Sequence, residues 1–380
     1  MMLDYETLKI IWWVLIGLLL IGFAITDGFD LGVGALLPFV ARSDEERRVL
    51  LNSVGATWEG NQVWLITAGG ALFAAWPLVY ATVFSGFYFA LILALFCLFL
   101  RPVGFDYRSK LDSPRWRNAW DWGLFVGGVG PALVFGIAFG NLLQGVPFHF
   151  DSDLRSYYTG SFSDLLNPFG LLCGFLSLAV LVMHGAVFLR LKTEEPIATR
   201  CGKVIFFSAA ISLILYVGAG YMIANSVDGY RVESIGELNS ALNPIAKKVG
   251  VGAGLWLERY QSFEWLWTVP LVVVVATLAA AVLSGFNLPG VAFIASSLSL
   301  AGVIITAGFS MYPFLMPSSS HPNHSLTIWD SSSSLLTLKV MFWVTVIFLP
   351  IVIAYTSWVY RVLKGKMTVA KIRDNQHSAY

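Results

Sequence analysis

Long apolar runs separated by short polar segments dominate the chain, and their lengths predict helices that cross a membrane. The first run starts near Leu8 and continues past Ile25 toward Leu37. From Val63 to Leu100, 38 residues pass without a charge. As one helix that stretch would be about 57 Å long, against a hydrocarbon core of roughly 30 Å. It reads as the end of one span and the whole of the next, broken at Trp76-Pro77, where proline removes a helical donor. Further runs lie near residues 118–143, 165–190, 203–225, 264–284, 290–312 and 336–361. Together they predict an all-α polytopic membrane protein of about nine helices.

Composition agrees with this pattern. The 380 residues are 57% hydrophobic and 12% charged, against about 25% charged in soluble domains. That excludes a disordered chain, and a net charge of +1 argues against a nucleic-acid partner. Cys97, Cys173 and Cys201 fit no metal spacing and read as free thiols, not a disulfide scaffold. Asp4, Glu6 and Lys9 precede the first run, so no basic leader of a cleavable signal is expected.

Charge then sets direction. With nine spans and the N-terminus outside, the inward segments 40–50, 101–117, 190–203 and 361–380 hold three, five, four and five Lys/Arg. The inward segment 285–289 is uncharged. The outward loop 144–163 has only Arg155, and 313–335 has none. In 226–262 four bases are matched by four acids. The C-terminus is therefore expected on the cytoplasmic side. Trp12, Trp13, Trp265 and Trp267 would mark the outer interface, and Trp116, Trp120 and Trp122 the inner one. The whole of 1–380 reads as one integral membrane domain, with a first helical group over 1–143 and a second over 164–361.

Carboxylates inside such a chain are costly and therefore informative. Asp27 and Asp30 are three residues apart, on one helical face. Glu59, with Trp58 before it, opens the second span. Asp106 and Asp121 lie near the cytoplasmic ends of the third and fourth. Five acids from four helices thus gather at one side of the first group. One interpretation is interfacial or capping acids paired with Arg101, Arg108 or Arg117. The other is a hydrated mouth that passes protons inward. His184 is the one histidine within a predicted helix, while His149, His321 and His324 fall in loops and His377 in the tail. A haem held between helices needs axial ligands on facing helices, and no such pair is present in the sequence. His184 reads as a packed histidine, and His321 and His324 as a loop rather than a metal site. Gly69-Gly70 and the series Gly22, Gly28, Gly32 and Gly34 read as close helix-packing positions. No phosphate-binding loop, dinucleotide fingerprint, zinc-protease motif or nucleophile elbow is visible.

Several longer strings carry a resemblance. They are Thr26-Asp27-Gly28-Phe29-Asp30, Trp58-Glu59-Gly60-Asn61-Gln62-Val63-Trp64, Gly69-Gly70-Ala71-Leu72-Phe73, Arg101-Pro102-Val103-Gly104-Phe105-Asp106-Tyr107-Arg108 and Gly140-Asn141-Leu142-Leu143-Gln144-Gly145-Val146-Pro147-Phe148. Pro313-Phe314-Leu315-Met316-Pro317-Ser318-Ser319 and Leu326-Thr327-Ile328-Trp329-Asp330 extend it over essentially the whole chain. Together they closely resemble subunit II of the cytochrome bd quinol oxidases.

The resemblance implies two four-helix bundles plus a peripheral helix in the bacterial inner membrane, with the outside being the periplasm. It implies a complex that oxidises quinol, reduces O₂ to water and generates proton motive force. Haems b and d would reside in partner subunit I, with no haem ligand, metal or catalytic residue in this chain. A quinone in this subunit and a small single-helix third subunit are left open. In the family, the acid after the motif tryptophan is implicated in a cytoplasmic proton path, a role that carries onto Glu59. Thr57 departs from the pattern, since close relatives often have His there. Two alternatives remain: a secondary transporter and a purely structural scaffold. Clustering of the acids at one face argues against the transporter.

Overall fold

Asp4 caps the first helix by accepting the Thr7 amide, and the apolar run behind it carries α1 without interruption over Tyr5–Val40. In the computed structural model, which describes residues 4–374, Ser43 caps a short second helix, α2 (Asp44–Val54). Then follow α3 (Trp58–Ala75), α4 (Pro77–Gly86), α5 (Tyr88–Tyr107) and α6 (Pro114–Gln144). The second half contains α7 (Pro168–Lys192), α8 (Ile197–Asn225), the short α9 (Glu258–Ser262), α10 (Thr268–Gly285) and α11 (Pro289–Met311). The chain ends with α12 (Leu335–Val362) and the short α13 (Val369–Asp374). His377 lies outside the described residues.

Among the described residues eight helices are long and apolar enough to cross a membrane: α1, α5, α6, α7, α8, α10 with its preceding turn, α11 and α12. The 18-residue α3 spans about 27 Å by helical rise and opens on the polar residues Glu59, Asn61 and Gln62.

The charge-free stretch divides differently from expectation. The break at Trp76-Pro77 is present: Trp76 leaves helical geometry and is fully buried, donating its indole N–H to the Ile328 carbonyl. A second break follows at Phe87, so the next span begins only at Tyr88. The ten residues of α4 rise about 15 Å, too little to cross. They pack instead against the loops at that end, where a side chain at Gly86 would collide with Tyr158.

Helix α1 is the axis of the molecule. Its second half packs against α3, α6, α7 and α11. Glycines permit the closest of these approaches: a Cβ at Gly32 would sit 2.2 Å from the Leu181 carbonyl, and one at Gly128 2.5 Å from the Leu31 carbonyl. Around α1, one set of helices comprises α3, α5 and α6, and the other α7, α8, α10 and α11. α6 and α7 join the two sets, and α12 lies outside both, with only Leu338 buried. Gly69 and Gly70 correct the packing expectation, because nothing lies within 4 Å of a Cβ at either. On α3 Gly69 is half-buried and Gly70 exposed, and no described helix of this chain packs closely on either.

The basic loops lie together at one end, here called the basic end. The other end is closed by three small antiparallel ribbons, an addition to an otherwise helical fold. They pair β1 (Phe148–Phe150) with β2 (Ser156–Tyr158), β3 (Asp228–Ser234) with β4 (Lys248–Ala253), and β5 (Phe314–Met316) with β6 (Leu326–Thr327). Buried Lys9 anchors this cap: its ammonium donates to the carbonyls of Leu238, Ser240 and Trp329 at 2.9–3.0 Å. Trp12 is likewise buried rather than interfacial, donating to the Leu338 carbonyl.

Candidate functional site: a buried carboxylate pair and its arginine

The spacing of Asp27 and Asp30 puts both on the α1 face turned toward α3 and α5, and both are buried. Arg101, the first charge after the apolar run of α5, is itself buried and reaches them. Its guanidinium grips Asp27 with two parallel bonds, Nη1 to Oδ2 at 2.9 Å and Nη2 to Oδ1 at 2.7 Å. Nη2 also lies 3.9 Å from Asp30 Oδ2. Asn61, one turn into α3, donates to that same oxygen at 2.8 Å and accepts from the Tyr360 hydroxyl of α12 at 2.5 Å. Among the described residues Asp30 Oδ1 has no hydrogen-bond partner. Beside it, Asp30, Arg101, Val33, Leu51 and Phe105 border a void of about 10 Å³, on the scale of one water.

Trp58 closes the next layer. Its ring is stacked on Phe105 at 5.2 Å, with the Arg101 guanidinium 5.6 Å from its centroid. Glu59 and Asp106, each the residue after one of that stacked pair, are exposed. Asp121 has a different setting. It is buried between Arg108 and Arg47, with Arg108 Nε and Arg47 Nη1 each 2.6 Å from one of its oxygens. Arg108 continues to Asp44 at 2.8 Å, and Arg117 joins Asp44 to Asp112. This network ties α2 to the starts of α6 and the end of α5. The five acids therefore share the basic end but divide into a buried pair, an arginine-clamped strut and two surface carboxylates.

Sequence reasoning named Trp58, Asp27 and Asp30 but used Arg101 only as an interfacial partner. The signal for Arg101 was its place directly after 38 uncharged residues. Tyr360 had no signal, since a tyrosine near a helix end is common.

His184 is buried with both ring nitrogens engaged, one by Ser296 Oγ at 2.8 Å and one by the Ile25 carbonyl at 2.9 Å. Its ring is stacked on Phe293. No described group of three His, Cys, Asp or Glu is arranged to hold a metal ion. The His321 ring lies between those of His149 and His324, at 4.9 and 5.2 Å, and His324 Nδ1 accepts the Phe150 amide at 3.0 Å.

The family described as cytochrome bd terminal oxidase subunit II matches residues 8–363. The chain belongs to this family. It is 53% identical over its full length, and that of its relative, to a probable cytochrome oxidase subunit 2 of Haemophilus influenzae. It is 52% identical, again over both full lengths, to the cytochrome bd-I ubiquinol oxidase subunit 2 of Escherichia coli K12. The cytochrome bd ubiquinol oxidase subunit 2 of Bacillus subtilis is 30% identical, with 94% of this chain and 96% of the relative covered. A bd oxidase structure from Geobacillus thermodenitrificans shares the fold, with a TM-score of 0.69 at 16% identity, covering 94% of this chain and 98% of that one. Membership of a cytochrome bd subunit II family places the chain in a multi-subunit, haem-containing oxidase. It also sets aside the transporter alternative. Among the described residues, His184 is the histidine buried between spanning helices, and both its ring nitrogens are hydrogen-bonded within the chain.

Proposed function

We propose that this subunit II supports a haem-bearing subunit I and admits protons from the cytoplasm into the oxidase. The chain is a multi-pass protein of the bacterial inner membrane and part of a terminal quinol oxidase. The electron chemistry belongs to the partner: a quinol is oxidised and O₂ is reduced to water, which consumes protons. Haems b and d are assigned to subunit I, and a quinone in this chain and a small third subunit remain compatible with the fold. The basic end faces the cytoplasm in this proposal, because the Lys/Arg-rich loops lie there. Residues 1–143 form the proton-handling helical group and 164–361 the supporting one.

The observation that carries the proposal is the buried arrangement of two carboxylates around one guanidinium. Arg101 balances Asp27. The second carboxylate then bears either an uncompensated buried charge, which is costly, or a proton. Such a group takes up and gives back a proton more readily than a matched pair does. The surface acids Glu59 and Asp106 collect protons at the mouth, the Trp58–Phe105 stack screens the buried pair from bulk water, and Asp30 holds the proton inside. The void beside Asp30 has room for the water that would link the layers. Asp121 serves the path indirectly, by fixing α5 and α6.

Glu59→Ala in the purified complex tests the outer step. Quinol-driven O₂ consumption should fall several-fold while subunit composition and the haem spectrum are retained. Wild-type turnover would remove Glu59 from the path.

A further inference from the structure

On the other side of α1, the helices α1, α7, α11 and the end of α12 enclose a cleft of about 480 Å³, within the roughly 300–1,000 Å³ usual for bound small molecules. Its walls are apolar and aromatic, with Ile25, Phe29, Phe188, Leu191 and Phe293 facing inward. Phe29 lies flat on Phe188, ring centroids 3.9 Å apart, so the floor is firmly packed. The mouth, at the basic end, carries Lys192, Lys364 and Lys366, and no lining residue is acidic. Glu195, which lies within electrostatic reach of Lys366, is not among the residues that line the cleft.

The mouth is a built feature. After α12 the chain reverses at Gly365, whose φ of +116° strains any residue with a side chain. The reversal lays residues 364–366 across the cleft. Two hydrogen bonds fasten it: Lys192 Nζ donates to the Leu363 carbonyl at 2.8 Å, and the Met367 amide donates to the Lys192 carbonyl at 2.7 Å.

We propose that this cleft binds one anionic phospholipid, its phosphate held by Lys192, Lys364 and Lys366 and an acyl chain lying over Phe29, Phe188 and Phe293. Charge selects this occupant. Three ammonium groups with no acid among the lining residues favour a net negative headgroup. A zwitterionic lipid brings its own ammonium into the same mouth, and a neutral ring leaves the lysines unanswered. An acyl chain matches walls that offer few hydrogen-bonding groups. Tyr360, which lines the cleft, is the residue whose hydroxyl bonds Asn61 and thereby Asp30.

The test uses the intact oxidase complex and two photoactivatable lipids with the same diazirine-bearing tail, one a phosphatidylglycerol and one a phosphatidylcholine. The phosphatidylglycerol should label peptides containing Phe29, Phe188 and Phe293 at least about tenfold more than the phosphatidylcholine does. In the variant Lys192→Gln/Lys364→Gln/Lys366→Gln that preference should collapse, and in the corresponding triple arginine variant it should persist. If the glutamine variant does not assemble, the contrast between the two lipids on the wild-type complex decides alone. Equal labelling by both lipids, labelling confined to other peptides, or a preference unchanged in the glutamine variant would overturn the proposal. So would native mass spectrometry that finds a quinone in the cleft.

Discussion

Arg101 and Asp27 illustrate how unequal the two halves of a buried ion pair can be. Removing only Arg101 leaves two carboxylates buried beside each other without a cation. Arg101→Met should therefore destabilise the subunit by about 3–5 kcal/mol, the usual cost of stranding a buried charge. The double variant Arg101→Met/Asp27→Leu should recover much of that loss. Thermal unfolding of the detergent-solubilised complex, followed for each variant, checks the order; equal losses would mean that the guanidinium is not what stabilises Asp27. At the opposite end, His324 offers a pH-dependent contact. Burial, and then the positive charges of His321, Lys247 and His149, hold its imidazole below the usual 6.5. Folding thus favours the neutral ring, which accepts the Phe150 amide. The stabilisation is complete above pH 6.5 and declines as the pH falls below it, because the unfolded loop binds the proton more readily. Hydrogen-exchange protection of the Phe150 amide, taken relative to the intrinsic rate at each pH, should fall across that acidic window more than protection of α7 core amides does. A pH-independent ratio would contradict this.

Elements were legible in the sequence where one physical signal dominated. The long apolar runs gave α6, α7, α10, α11 and α12 to within a few residues and α8 with a start six residues late, but not α5, which begins and ends further along the chain than the charge-free run implied. Trp76-Pro77 marked a true helix end because proline cannot continue the hydrogen-bond ladder. The break at Phe87 carried no comparable mark, since an aromatic residue after glycine is equally at home inside a membrane helix. The ribbons β1–β6 were invisible for a related reason: they are two to seven residues long and owe their pairing to the loops around them. Lys9 was read as a charge before the membrane, yet it is a buried clamp, because its three acceptors come from loops more than 200 residues away. Lys9→Met leaves those carbonyls unpaired and should cost roughly 2–4 kcal/mol. Limited proteolysis of the 235–247 segment should become faster in that variant, while the helices remain resistant. Unchanged cleavage would show that the cap holds without the lysine.

For the molecule as a whole, the scarcity of charge was informative twice. It first marked the chain as a membrane protein, and then drew attention to the few charges inside. Asp27 and Asp30 stood out because nothing else in their neighbourhood was ionisable. Their division of labour from Asp121 did not, because sequence spacing cannot show that an arginine of α2 and the arginine just after α5 converge on one carboxylate. The proposed orientation has its own check. A cysteine placed at the exposed Lys110 should react with a membrane-impermeant maleimide only after permeabilisation, and one at the exposed Asp153 without it; the reverse pattern would invert the topology. The central claim concerns the inner acid, and Asp30→Asn tests it most directly. This change keeps the shape and the hydrogen-bonding reach toward Asn61 but removes the exchangeable carboxyl proton. Quinol-driven O₂ consumption by the assembled complex, with its haem spectrum intact, should fall by roughly tenfold or more, the range expected when a proton-transfer group is lost. Turnover equal to wild type would contradict the account.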